Sequence, residues 1–205
     1  MDMKREDDYT ISEFKSDIRE YGKVLFDKYK FNGPHVKDHW LYKRNLYYNN
    51  EFIGFRFNVD GGYQEHEDDC FLRVYAYLPP WKEEGLKLTE IIEIYNAKYN
   101  RQIDPEIIRR KKELYEKLFT PSMSDEEHNE YLSILDKISD FEHPTEELQE
   151  IRAANRNYDL RNKDRIRLSL RKYSEFLDKY LSDVLSGKNR GWIDVVPWQD
   201  EREIW

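Results

Sequence analysis

The chain has 205 residues and a formal net charge of -8, with 37% charged, 39% hydrophobic and 15% aromatic residues. The aromatic share supplies apolar area that disordered chains lack, so a folded protein is expected, and the acidic balance disfavours a general affinity for nucleic acid or anionic membrane. A single cysteine, Cys70, excludes an intrachain disulfide and a cysteine-based metal cluster; with the charged start MDMKREDDY and no apolar run near the roughly 20 residues of a bilayer span, this predicts a soluble cytoplasmic protein without a membrane partner.

Thr10 and Glu13 form a capping-box pattern. Ile11, Phe14, Ile18, Tyr21, Leu25 and Tyr29 follow at steps of three and four, which predicts one amphipathic helix ended by FNGPH. Three strands are expected next. HWLYKRNLYY pairs with EFIGFRFNV across a turn at Asn49-Asn50, and DCFLRVYAY follows as the third. Ile53, Phe55, Phe57 and Val59 share one face, as do Cys70, Leu72, Val74, Ala76 and Leu78, the alternation of an antiparallel meander. The second face carries Phe52, Arg56, Phe71, Arg73, Tyr75 and Tyr77.

Pro79-Pro80 close the sheet, and the remainder reads helical. Leu88, Ile91, Ile92, Tyr95 and Tyr99 mark a short helix. Asp104-Pro105 opens another that runs to about Phe119. Ser124 and Glu127 open a third, through Phe141, and Thr145 caps a last stretch stopped by Gly187. In that stretch RAANRNYDLRNKDR is poor in apolar residues, which leaves its continuity open, whereas Ile166, Leu170, Tyr173, Leu177, Leu181 and Val184 are regularly spaced. The expected architecture is α+β: an N-terminal helix, a three-stranded antiparallel meander, then a helical portion of about four helices. Residues 1–80 hold the helix and sheet; residues 81–205 hold the helices and a Trp-rich tail, packed with the first part as one unit.

The order α-β-β-β-α, together with GPHVKDHW, resembles double-stranded-RNA-binding domains over less than half of the chain. That resemblance implies lysines opening the second helix to meet phosphates. Here the position reads PPWKEEGLK, with two adjacent acids, so no residue is carried over.

Charge is unevenly distributed. Residues 121–150 hold ten carboxylates and one lysine, Lys137, and residues 151–191 hold eleven basic groups and five acidic ones. The first set lies between the RRKK of 109–112 and the arginines that follow, and intramolecular pairing is the plainest account of it. The chain contains no phosphate-binding loop, no Gly-x-Gly-x-x-Gly, no Gly-x-Ser-x-Gly and no Glu-x-Lys after Asp60. No catalytic residue, metal or cofactor is expected. His35, His39 and His66 are the residues that would have to hold a metal in a small metal-dependent enzyme.

The leading expectation is therefore a non-enzymatic protein-binding protein whose carboxylates occupy a basic, phosphate-binding groove, as an inhibitor of a nucleic-acid-handling enzyme would. Small phage and mobile-element anti-defence proteins resemble the chain in size and charge, although no motif marks such a family. The candidate contacts are Glu65, Glu67, Asp68 and Asp69 in the loop DGGYQEHEDDC, and Asp125, Glu126, Glu127 and Glu130. In the tail they are Trp192, Trp198 and Trp205, on a segment that either folds back as an edge strand over 192–196 or projects as an arm. The alternative is a nucleic-acid-binding module that uses Arg152, Arg156, Arg161, Arg165, Arg167 and Arg171 with the aromatic sheet face. A homo-oligomer stays open.

Overall fold

The computed structural model describes residues 10–40, 43–61, 70–81, 86–118, 120, 122–155 and 163–200. Helix α1 (Ile11–Tyr21) opens with the capping box read from Thr10 and Glu13: the Glu13 amide donates to Thr10 Oγ1 at 3.1 Å, and the Thr10 amide donates to the Glu13 carboxylate at 2.7 Å. The predicted first helix is not continuous, because Gly22 separates α1 from α2 (Lys23–Asp27).

The sheet has six strands, not three, each antiparallel to its sequence neighbour, in the order β1 to β6. These are β1 (Asn32–Trp40), β2 (Lys43–Asn49), β3 (Gly54–Gly61), β4 (Cys70–Tyr77), β5 (Lys87–Glu90) and β6 (Gln199–Asp200). HWLYKRNLYY is divided between two strands, with Trp40 opposite Lys43. Gly33 and Pro34 lie within β1 instead of ending a helix; an edge strand tolerates proline because one row of its amides needs no partner. The β2–β3 register pairs Asn49 with Gly54 and Leu46 with Phe57, so the connection is 50–53, longer than a two-residue turn. Leu88 belongs to β5, opposite Tyr77, and not to the following helix α3 (Ile91–Lys98).

Asn50 is the joint of this connection. Its Oδ1 accepts from the Phe52 and Ile53 amides at 2.8 and 3.0 Å, and its Nδ2 donates to the Tyr29 and Leu185 carbonyls at 3.1 and 2.9 Å.

Four further helices follow: α4 (Pro105–Lys117), α5 (Asp125–Glu142), α6 (Glu146–Asn155) and α7 (Lys163–Tyr180), with the short α8 (Ser182–Leu185). The last predicted helical stretch is therefore two helices. Ion pairs Glu150–Lys172 and Glu147–Lys179, both 2.9 Å, show that α6 and α7 run antiparallel. The period-two faces of the sheet explain the main core. Leu46, Tyr48, Phe55, Phe57, Val59, Leu72, Val74 and Ala76 meet Phe14 and Ile18 of α1, Leu148 and Ile151 of α6, and Leu170, Phe176 and Leu177 of α7. The tail adds Trp192 and Val196, but residues 191–196 form turns; the strand that seals β5 is Gln199–Asp200.

The opposite sheet face is buried around Tyr47, Arg56, Tyr75 and Tyr77, whereas Arg73 on the same face is exposed. Tyr47, Tyr75, Tyr77, Leu86 and Leu88 form a second cluster with Trp81, and Arg56 is buried with its guanidinium 4.5 Å from the Tyr75 ring centroid. Among the described residues no helix is long and apolar enough to cross a membrane.

Candidate protein-interaction site

Helices α4 and α5 form a hairpin with its own core. The Asp104 side chain accepts from the Glu106 amide at 2.9 Å, with Pro105 at the first helical position. The second capping box also forms: the Glu127 amide donates to Ser124 Oγ at 3.2 Å and the Ser124 amide to Glu127 Oε2 at 3.1 Å. Leu114 of α4 meets Tyr131, Ile134 and Ile138 of α5, with Ile107, Leu118 and Leu135 beside them. This cluster is separate from the main core. Arg110 grips Glu130 with two bonds, 2.9 and 2.7 Å, and Lys117 pairs with Glu127 at 2.6 Å. These bonds fix the antiparallel register and hold both glutamates below the usual carboxylate range. Exposed pairs of this kind add little stability each; their main effect is to set which acids remain unpaired.

Those acids fall on one line. Glu126, Asn129, Ser133, Asp136 and Asp140 are spaced three and four apart and all are exposed. The spacing places them along the side of α5 away from its core. The fifteen residues from Glu126 to Asp140 give a stripe about 21 Å long, with only Lys137 as a cation beside it. Among the described residues no cation pairs with Asp125, Glu126, Asp136 or Asp140.

The end of α5 is anchored to the rest of the molecule. Arg101 donates to the Phe141 and Asp140 carbonyls at 3.2 and 3.3 Å, satisfying terminal acceptors and complementing the negative end of the helix. Arg152 donates to Ser139 Oγ. Glu142 lies close enough to Glu90 and Glu93 to act on both electrostatically. Partial desolvation at this crowded junction raises the Glu90 carboxyl, with Arg73 opposing and Glu142 adding to the shift; partial desolvation, then Glu90 and Glu142, raise Glu93.

Of the acidic residues chosen from sequence, Asp125 and Glu126 are exposed without a cation, whereas Glu127 and Glu130 serve the hairpin. Asp136 and Asp140 were missed; the signal was the polar stripe that complements the apolar period of α5. Glu65, Glu67, Asp68 and Asp69 lie outside the described residues, as do His66, Trp205, Arg156 and Arg161. Trp192 is only 3% exposed and Trp198 donates through Nε1 to the Ile193 carbonyl at 2.8 Å, so both are built into the fold rather than carried on an arm.

The basic side of α7 does not meet the acids of α5, as a simple charge match would have it. Lys163 pairs with Glu13 at 2.8 Å and Arg167 with Asp17 at 2.9 Å, both on α1. Lys172 and Lys179 take the acids of α6. Arg165 is half-buried and Arg171 is exposed. Arg56, Tyr75 and Tyr77, three of the residues on which bases were to stack, are buried; Arg73 is exposed, and the Phe71 side chain lies outside the described residues. His35 stacks on Trp81, ring centroids 5.0 Å apart, and the His39 side chain lies outside the described residues. Among the described residues no cluster of three or more His, Cys, Asp or Glu is placed to hold a metal. No family profile, no curated protein and no solved structure matches the chain.

Proposed function

We propose that this chain is a non-enzymatic protein-binding protein that presents the acidic stripe of α5 to a basic surface. The sharpest form of this reading is an inhibitor of a nucleic-acid-handling enzyme, of the kind phages and mobile elements carry against host defences. The observation that supports it is the stripe itself: exposed carboxylates, unneutralised by the surrounding described residues and held on a rigid helix with both ends fixed. Carboxylates held in place in this way occupy a groove built for phosphates and steer the encounter over long range. The arginine reading is weaker, because most described cations of α7 are engaged internally and Arg56, Tyr75 and Tyr77 of the aromatic face are buried.

The test is capture of partners from a native-host lysate with and without nuclease, followed by titration of the purified partner. Glu126→Lys/Asp140→Lys is expected to weaken that complex by about an order of magnitude or more at low salt, with the difference shrinking as salt rises. Unchanged affinity would remove the stripe from the interface. Recovery that collapses with nuclease would move the function to nucleic acid. Charge reversal of Glu65, Glu67, Asp68 and Asp69 in a separate variant tests the loop.

A further inference from the structure

Exposed apolar side chains concentrate on the same hairpin. Of the five large hydrophobic residues exposed among those described, three are here: Ile108 at 46%, Tyr115 at 53% and Leu132 at 46%. Ile108 and Tyr115 each follow a core-facing residue of α4, Ile107 and Leu114, by one position, and Leu132 follows Tyr131 of α5 in the same way. One position is about 100° of rotation. Because the helices are antiparallel and face each other, the same rotation brings all three to one flank of the hairpin. The pairs Arg110–Glu130 and Lys117–Glu127 occupy the other flank.

Charges are ordered on this apolar flank. On α4 the row is Ile108, Lys112, Tyr115; on α5 it is Asp125, His128, Leu132, Asp136. Over their full lengths α4 carries five cations and three acids, +2, whereas α5 carries one cation and seven acids, -6. Among the described residues Lys112 has no carboxylate partner, and Asp125 and Asp136 have no cation.

We propose that this flank receives a second copy of the chain, with α4 of each copy lying on α5 of the other as a four-helix bundle around a twofold axis. The register follows from the ion pairs. Arg110 is level with Glu130 and Lys117 with Glu127, so a twofold parallel to the helices sets Ile108 and Lys112 of one copy astride Leu132 of the other. Leucine gains an apolar cover, and Lys112 enters the field of Asp125 and Asp136. All neighbouring helices are then antiparallel, the arrangement of up-down bundles. Helices of 13 and 18 residues give faces about 20 and 27 Å long, at the small end of specific interfaces, so association in the micromolar range is expected.

Sedimentation velocity and light scattering on the full chain, from about 1 to 200 μM, read this directly. The wild type is expected to be dimeric at the upper end. Leu132→Glu is expected to be monomeric throughout, with unchanged circular dichroism and melting temperature. Lys112→Glu is expected to weaken the dimer by about tenfold, and adding Asp136→Lys to restore it to within about threefold, since unlike charges again face each other across the axis. A monomeric wild type at about 200 μM, an undiminished Leu132→Glu dimer, or failure of the charge exchange to restore association would each overturn the proposal. The partner titration uses Glu126 and Asp140 instead, so either reading can fail alone.

Discussion

Gly54→Ala tests how tightly the second sheet face is packed around Tyr77. Gly54 stands opposite Tyr77, whose ring lies over it; Tyr77 is fully buried and its hydroxyl donates to Asn49 Oδ1 at 3.2 Å. A methyl group at Gly54 would come within 2.5 Å of three ring carbons. Carbon contacts need roughly 3.5 Å, so the ring has to withdraw by about 1 Å, away from a position bounded by Tyr47 and Leu88. Two effects oppose each other. Reduced freedom of the unfolded chain favours alanine by about 0.4–1 kcal/mol. Overpacking costs about 1–3 kcal/mol, and displacing the ring forfeits part of the roughly 3–5 kcal/mol that truncating a buried aromatic costs. The second effect wins, and a net loss of about 2–3 kcal/mol is expected in urea denaturation. The cost should nearly vanish in a Tyr77→Ala background, where nothing lies over the glycine. A Gly54→Ala protein as stable as wild type, or the same loss with and without Tyr77, would refute the reasoning.

Asn50→Ala leaves two amides and two carbonyls without the partner they share, and a loss of about 3 kcal/mol or more is expected by the same assay; Asn50→Asp should recover only the amide half. Two glutamates should respond to pH with opposite signs. Lys163 and the Thr10 cap lower Glu13 to about 2. Its contribution is therefore present above the unfolded value of 4.5 and is lost as pH falls towards 2, so Glu13→Gln should lower the melting temperature at pH 7 and converge with wild type near pH 2. Glu90 is raised by partial desolvation, so its carboxylate opposes folding once pH rises through its folded value; Glu90→Gln should raise the melting temperature at pH 7 and leave it unchanged near pH 4. Thermal scans across pH 2 to 8 check both, and a shared sign would contradict the assigned environments.

Features determined within a few residues were legible in the sequence. Thr10 with Glu13, Ser124 with Glu127, and Asp104 with Pro105 start helices as predicted, because each cap joins groups three or fewer positions apart. The alternation of β3 and β4 was equally clear, since both are paired on two sides and buried on one apolar face. What escaped depends on distant partners. The four residues of β5 and two of β6 are too short to show a period, and exist because β4 offers an edge. Leu88 fits a helical spacing and a strand equally well. Asn50 reads as a turn residue, although two of its bonds reach 21 and 135 positions away. The polar stripe of α5 is written in its period, but that Glu127 and Glu130 are neutralised rather than free to bind depends on Lys117 and Arg110 of α4.

The order in which the main core is assembled has a consequence for synthesis. Strands β2 to β4 are complete at residue 77, but Phe176 and Leu177, which belong to the same core cluster as Phe57 and Val74, come about a hundred positions later. At about 5–20 residues per second the ribosome needs about 5–20 s to supply them. For that interval a nascent chain carries a paired sheet whose apolar face has only the preceding α1 and α2 to cover it, and its yield in the cell depends on translation speed and on whatever shields the rest of that face until α7 emerges.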